Sequence, residues 1–138
     1  MGNGYWGRIL RVDLSRQKTE IQQLDEDLAK TYLGGSGIGA KFLYDETTGQ
    51  TDPLSPENLL MFMTGPLTGS GVPGTGRHEV IFKAPLTGIF ARSGVGGSWG
   101  VALKQAGFDG IILTGKADRP VYLWIHDGKT EFKDASGL

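Results

Sequence analysis

Where the glycines fall constrains this sequence more than any other feature. There are 23 in 138 residues, against a usual level of roughly 7%. Five lie between Gly34 and Gly49 and ten between Gly65 and Gly100. They follow no collagen period and sit among Leu, Ile, Val, Phe and Trp. That is the pattern of a globular chain with specialised loops, not of a disordered tract.

Two glycine-rich passages are near-copies. Gly65-Pro-Leu-Thr-Gly69 leads into Gly71, Gly74, Gly76 and Arg77; Ala84-Pro-Leu-Thr-Gly88 leads into Arg92, Gly94, Gly96 and Gly97. Each follows a predicted strand. Glycine lets a backbone take positive φ and approach a ligand closely. Successive free N–H groups then make a concavity for an anion, and a helix N-terminus adds partial positive charge. Gly96 and Gly97 stand just before a predicted helix, and Arg77 or Arg92 offers bidentate contacts to a phosphate. Two such loops favour anion binding; a single one would read as an ordinary hairpin turn with a surface arginine.

Other candidate sites are weaker. Gly35-Ser-Gly37-Ile-Gly-Ala40 matches the dinucleotide fingerprint, but a helical segment precedes it where a strand is required, so a helix–helix turn is the better reading. His78 and His126 have no metal-ligand spacing and read as surface or strand-edge residues. Glu79, beside Arg77, either orients an arginine or faces water. Trp6, Trp99 and Trp124 are core candidates. No nucleophile–base pair stands out.

Composition removes several classes of function. The net charge is -1, which argues against nucleic acid as the main partner. No apolar run approaches the roughly 20 residues needed to span a bilayer, and the start of the chain lacks the character of a secretory signal, so the expected location is the cytoplasm. Cysteine is absent; the chain supplies no thiolate to an iron–sulfur cluster, a disulfide or a Cys-type zinc site.

Periodicity predicts strands over Gly7–Leu14 and Lys18–Leu24, joined as a hairpin by Ser15-Arg-Gln17. Asp25 caps a short helix through Leu33, and Gly34-Gly35 stops it. A second helix is expected from about Gly37 to Asp45. Further strands are expected at Leu59–Met63, Glu79–Lys83 and Gly110–Thr114. A helix is expected over Ser98–Gln105, with Trp99, Ala102 and Leu103 inward. Val121–His126, Asp127-Gly128 and Lys129–Lys133 form the clearest hairpin signal. The sum is about eight strands and three helices, an α+β fold with antiparallel or mixed sheets.

These motifs come in the order and spacing of a known family. Trp6-Gly-Arg-Ile-Leu-Arg-Val-Asp-Leu14, Tyr32-Leu-Gly-Gly35, Asp52-Pro-Leu-Ser-Pro-Glu-Asn58, the two Pro-Leu-Thr-Gly loops, Gly76-Arg77, Gly96-Gly97 and Leu103-Lys-Gln-Ala-Gly-Phe-Asp-Gly-Ile111 together resemble the N-terminal domain of the aldehyde:ferredoxin oxidoreductases. The resemblance covers essentially all of residues 1–138. It implies a saddle of β-sheets that carries a tungsten or molybdenum bis-pterin cofactor, with magnesium bridging the pterin phosphates. The parent reaction is oxidation of an aldehyde to a carboxylic acid, with electrons passing through a [4Fe–4S] cluster to ferredoxin.

By that resemblance Arg77 lies beside a pterin phosphate and the cluster, and Gly94, Gly96 and Gly97 belong to the cofactor loop. Gly94 offers a backbone carbonyl to the magnesium; the family commonly has asparagine there, and glycine keeps that carbonyl. Residues 1–138 then form part of the pterin-binding domain, without the cluster cysteines or the acid/base residues near the metal. The chain alone is expected to be inactive, to pair with the remainder of the oxidoreductase or a complementary subunit, and to show an exposed apolar face or strand edge prone to self-association. The alternative is a stand-alone binding or assembly module that kept the fold without redox activity.

Overall fold

The computed structural model describes residues 4–138. Eight strands and three helices follow in the order β1 (Arg8–Asp13), β2 (Lys18–Gln23), α1 (Glu26–Tyr32), α2 (Gly35–Glu46), β3 (Leu60–Thr64), β4 (His78–Lys83), β5 (Phe90–Val95), α3 (Trp99–Gln105), β6 (Gly110–Thr114), β7 (Val121–His126) and β8 (Lys129–Asp134). Six strands make a mixed sheet in the order β2-β1-β6-β3-β4-β5, and β7-β8 form a separate two-stranded sheet. The α+β expectation holds. Every neighbouring pair is antiparallel except β1 and β6.

β6 joins the two parts of the large sheet. It pairs in parallel with β1, Ile9 opposite Gly110, and antiparallel with β3, Phe62 opposite Ile111. Its position between them is possible because Gly110 has no side chain: a Cβ there would stand 2.4 Å from the Met63 sulfur.

Each face of the sheet is covered. On one face α1 and α2 bury Ile9, Ile38, Phe42, Met61, Met63, Ile81 and Ile112. On the other, α3 and the β7-β8 hairpin bury Leu10, Val12, Leu103, Phe108 and Ile111. β1 therefore departs from its half-buried expectation, since Ile9, Leu10 and Val12 are all buried. The small second sheet, whose packing no local pattern reports, supplies the extra cover.

The local signals behave as their chemistry dictates. Asp25 caps α1, its Oδ1 accepting from the Leu28 N–H at 2.8 Å, worth roughly 1 kcal/mol. Asp127 and Gly128 turn β7 into β8 with φ of 48° and 72°, the positive values that such a two-residue turn requires. α2 starts at Gly35, earlier than expected, because the Tyr32-Leu-Gly-Gly35 joint folds α1 directly onto it. A Cβ on Gly37 would stand 2.2 Å from the Tyr32 carbonyl oxygen, and one on Gly39 would stand 2.8 Å from Ile81 Cδ1. The glycines of the dinucleotide-like passage thus serve close helix–helix and helix–sheet approach.

Three expectations fail. β5 was expected as loop, but Phe90–Val95 pairs with β4 along its whole length; as an exposed edge strand containing Gly94 it lacks the alternation that a half-buried strand shows. The tryptophans are not core: Trp6, Trp99 and Trp124 are all exposed, Trp99 by 43%. α3 buries Gly100, Leu103 and Lys104 in place of Trp99 and Ala102.

Lys104 is buried because it meets Asp109. Its ammonium lies 2.5 Å from Asp109 Oδ1, with both side chains almost fully enclosed, and it also donates to the Gly4 carbonyl at 2.6 Å. The Asp109 carboxylate accepts from the backbone N–H groups of Trp6, Gly7 and Arg8 at 3.1, 2.6 and 3.2 Å. Removing it leaves three N–H groups and one buried ammonium without their acceptor. Asp109→Ala is expected to lower unfolding free energy by about 3–5 kcal/mol in urea titration, whereas Asp13→Ala, at the exposed β1-β2 turn, should cost under about 1 kcal/mol.

Candidate functional site

The two Pro-Leu-Thr-Gly passages fold differently. The second is a plain hairpin: the Ala84 N–H donates to the Ile89 carbonyl at 2.9 Å and the Gly88 N–H to the Ala84 carbonyl at 2.8 Å. This closes β4 onto β5 at the end of the pair remote from Arg77. Ala84–Ile89 is thus an ordinary hairpin turn. Arg92 lies within β5, opposite Ile81, and forms an ion pair with Glu79 at 3.5 Å.

The first passage builds the site. Thr68, only 8% exposed, accepts the Gly65 N–H at 3.2 Å and donates to the Arg77 carbonyl at 3.1 Å. One hydroxyl thus ties the start of the loop to the residue at its end. Gly76 passes so near Gly97 that a Cβ would stand 2.8 Å from the Gly97 carbonyl oxygen, and Gly100 sits similarly against Gly76, 3.1 Å from its carbonyl oxygen. The loop before β4 and the loop after β5 are therefore packed together at one end of the sheet. Thr68 had no prominence in the sequence beyond its place in the repeated tetrapeptide.

Arg77 emerges at this junction. Its Nη2 lies 2.6 Å from where a Gly94 Cβ would stand, and its Nη1 3.9 Å from that of Gly96. The structure thus brings Arg77 together with Gly94 and Gly96. Gly97, with φ of 97°, turns the chain toward α3. Gly94 is a strand residue, opposite Glu79 on β4, not part of the loop as expected. Among the described residues no hydrogen bond or ion pair engages the Arg77 guanidinium.

Arg77 also walls an open cleft of about 440 Å³, whose other side is the α1–α2 joint at Leu33, Gly35 and Ser36. α2 begins with Gly34, has no side-chain cap bond and carries no acid in its first turn. Its first N–H groups keep their partial positive charge. The cleft thus presents an arginine, a helix start and a glycine-lined wall, with Glu79 as its one carboxylate. The described residues hold no group of three His, Cys, Asp or Glu side chains suited to a metal.

His78 corrects its expectation. It is buried at 5% exposure, its ring 4.6 Å from Trp99 and 6.3 Å from Phe62, and its Nδ1 has no hydrogen-bond partner. Burial lowers its pKa from the ordinary 6.5, against a smaller opposing pull from Glu79. The edge position of a strand told nothing of the aromatic pair that encloses it. Beyond these rings an apolar groove of about 430 Å³ opens between Trp99, Leu113, Leu123 and Trp124.

Three comparisons place the chain among known proteins. Residues 9–138 match the family model described as aldehyde ferredoxin oxidoreductase, N-terminal domain. The chain belongs to the aldehyde ferredoxin oxidoreductase family. It is 52% identical over 133 residues to a tungsten-containing aldehyde ferredoxin oxidoreductase of Pyrococcus abyssi, covering 96% of this chain and 22% of that relative. It is 42% identical to the aliphatic sulfonate oxidoreductase, WOR-like subunit, of Pyrococcus furiosus, covering 96% and 21%. A solved structure, the active site complex BamBC of benzoyl coenzyme A reductase with 1,5-dienoyl-CoA, matches at a TM-score of 0.95 and 41% identity over 99% of this chain and 21% of that one. The chain spans about a fifth of the length of the curated relatives it matches. No helix among the described residues is long and apolar enough to cross a membrane.

The His78 shift fixes a pH dependence. In the unfolded chain the ring gains a proton as the pH falls below 6.5; in the fold it resists that proton. Stability is therefore full above 6.5 and is lost as the pH drops toward the lowered folded value. Thermal melts should show the melting temperature falling between about pH 7.5 and pH 5, with a shallower fall in His78→Phe.

Proposed function

We propose that this chain is part of the cofactor cradle of a tungsten or molybdenum bis-pterin oxidoreductase. The observation that carries the reading is Arg77: among the described residues no hydrogen bond or ion pair engages its guanidinium, which stands over Gly94 near the end of β5 and faces the cleft where α2 starts. In this reading Arg77 binds a phosphate end of the pterin. Gly94, Gly96 and Gly97 would line the site beside it, and the Gly94 carbonyl would help to hold a magnesium ion. The residues fit such a group: Arg77 is the one arginine or lysine lining the cleft among the described residues, and the close packing at Gly76 and Gly94 sets where it stands. When bound, the metal and its dithiolenes supply the two-electron chemistry.

What these residues contribute is position and charge. Arg77 offers five donors in a fixed fork suited to phosphate oxygens. The first-turn N–H groups of α2 add to the same field. With no cysteine in the sequence, a [4Fe–4S] cluster belongs to other domains of a longer polypeptide or to a complementary subunit. The full assembly would oxidise an aldehyde to a carboxylic acid and pass electrons to ferredoxin in the cytoplasm; residues 1–138 alone would be inactive, a partial pterin-binding domain. The apolar groove between Trp99 and Trp124, with exposed Leu60 and Tyr122 nearby, suits burial by that remainder or by self-association.

A second reading, a binding or assembly module that kept the fold, draws on the likeness to a protein named as a subunit. The two separate in one experiment. Anaerobic purification of the complete gene product with tungsten and molybdenum supplied should yield bound metal and pterin. Arg77→Ala should lose most of both and weaken inorganic phosphate binding by about tenfold to a hundredfold, the loss of one or two charge-assisted hydrogen bonds. A metal-free product with unaltered partner binding would favour the module.

A further inference from the structure

Leu33 holds a backbone conformation that its residue type disfavours. Its φ and ψ are 62° and -60°, and the Gly34 N–H donates across it to the Tyr32 carbonyl at 2.7 Å. That is a γ-turn of the rarer, strained kind. Positive φ normally falls to glycine, and two glycines follow at once, yet the turn falls on a leucine. Its surroundings hold it there. The Leu33 N–H donates to the Ala29 carbonyl of α1 at 2.9 Å, and the Leu33 carbonyl accepts the Tyr5 hydroxyl at 2.6 Å. Gly34 is wedged against the loop that leads to Arg77: a Cβ there would stand 2.9 Å from Gly65 Cα and from the Thr64 carbonyl oxygen. Tyr5 is itself anchored, packed on the core below α1 and α2, with the Lys104 ammonium 5.6 Å from its ring centre.

Burial does not account for the leucine. Leu33 is 63% exposed and, among the described residues, packs in neither core cluster. Exposed leucines are common; one held in a strained turn at a cleft is not. Strain of this kind persists where the surrounding structure over-determines it, and it gathers at ligand clamps. Leu33 lines the same cleft as Arg77, together with Pro66 and Leu67, and Leu67 is exposed as well. One opening therefore offers a guanidinium and an apolar lip. A free phosphate ion, hydrated on every side, gains nothing from such a lip. An organic phosphate does, because its body carries apolar surface that gains by leaving water.

We propose that Leu33 is a specificity-determining residue of the cleft: its turn, locked by Tyr5, holds an apolar side chain where it meets the organic body of a phosphate ester whose phosphate Arg77 binds. The inference rests on the phosphate reading of Arg77 given above and adds the class of ligand, a phosphate ester with apolar surface in place of the free ion. Tyr5 is a positioning residue that acts through Leu33. A lip fixed in advance loses no freedom when the ligand arrives.

The test compares two probes, inorganic phosphate and phenyl phosphate, by calorimetric titration of the complete gene product made in a host without the pterin cofactor. Phenyl phosphate should bind about threefold to tenfold tighter than inorganic phosphate. Leu33→Gly and Leu33→Ala should each cut that preference to within about twofold while leaving inorganic phosphate binding unchanged. Tyr5→Phe should lower the preference too, and in a Leu33→Gly background it should change nothing further. The melting temperature of Leu33→Gly should not fall, because glycine relieves the turn and little apolar burial is lost. Equal affinity for the two probes, or a preference that survives both Leu33 variants, overturns the role of Leu33 and leaves an Arg77-dependent phosphate site standing. A preference unmoved by Tyr5→Phe overturns the lock. Inorganic phosphate binding indifferent to Arg77→Ala sinks the phosphate reading and this inference together.

Discussion

The pairing of Lys104 with Asp109 is the contact on which the other parts of the structure depend. Asp109 enters β6, gathers the N–H groups of Trp6, Gly7 and Arg8 just ahead of β1, and receives the ammonium of α3. Its carbonyl also accepts from the backbone and hydroxyl of Thr64 at the end of β3. One residue thereby fixes three strands and a helix at one end of the sheet. A charge buried so deeply is tolerated only when fully paired, and here the partners come from α3 and from the segment that leads into β1. The loop from Gly65 to Arg77 begins one residue beyond Thr64, so the frame that Asp109 sets also anchors the start of the loop that leads to Arg77.

Glycine does two kinds of work on that frame. At Gly39 and Gly110 it lets a helix or strand press against large apolar side chains. At Gly76, Gly94 and Gly100 it removes side chains from the place where two loops and a guanidinium converge. The concentration of glycines between Gly65 and Gly100 is thus a record of crowding around one site, more than of loop flexibility.

This division explains what the sequence revealed. The helix cap at Asp25, the hairpin at Asp127-Gly128 and the apolar runs of β3 and β6 follow from local chemistry, so they were legible. Whatever depends on distant partners was not. His78 lies on a strand that reads as half-exposed and is buried by Trp99, a residue that reads as core and is itself exposed. β5 carries no alternation because both its faces are largely exposed, so its arginine and glycines read as loop. The two Pro-Leu-Thr-Gly tetrapeptides are chemically alike, yet only the one followed by a long return to β4 encloses a cleft. In the other, β5 follows at once and nothing but a hairpin can form.

The central place of β6 has a consequence for the order of synthesis. β1 and β2 leave the ribosome first, yet β1 lacks its inner neighbour until Gly110–Thr114 has emerged; β3, β4 and β5 meanwhile form a separate ribbon with one unsatisfied edge. Until β6 has emerged, then, the nascent chain holds two partial sheets with exposed edges, and a later segment must slot between them. Such a chain is most vulnerable to wrong pairing while it is being made, and that vulnerability ends when Asp109 reaches Lys104.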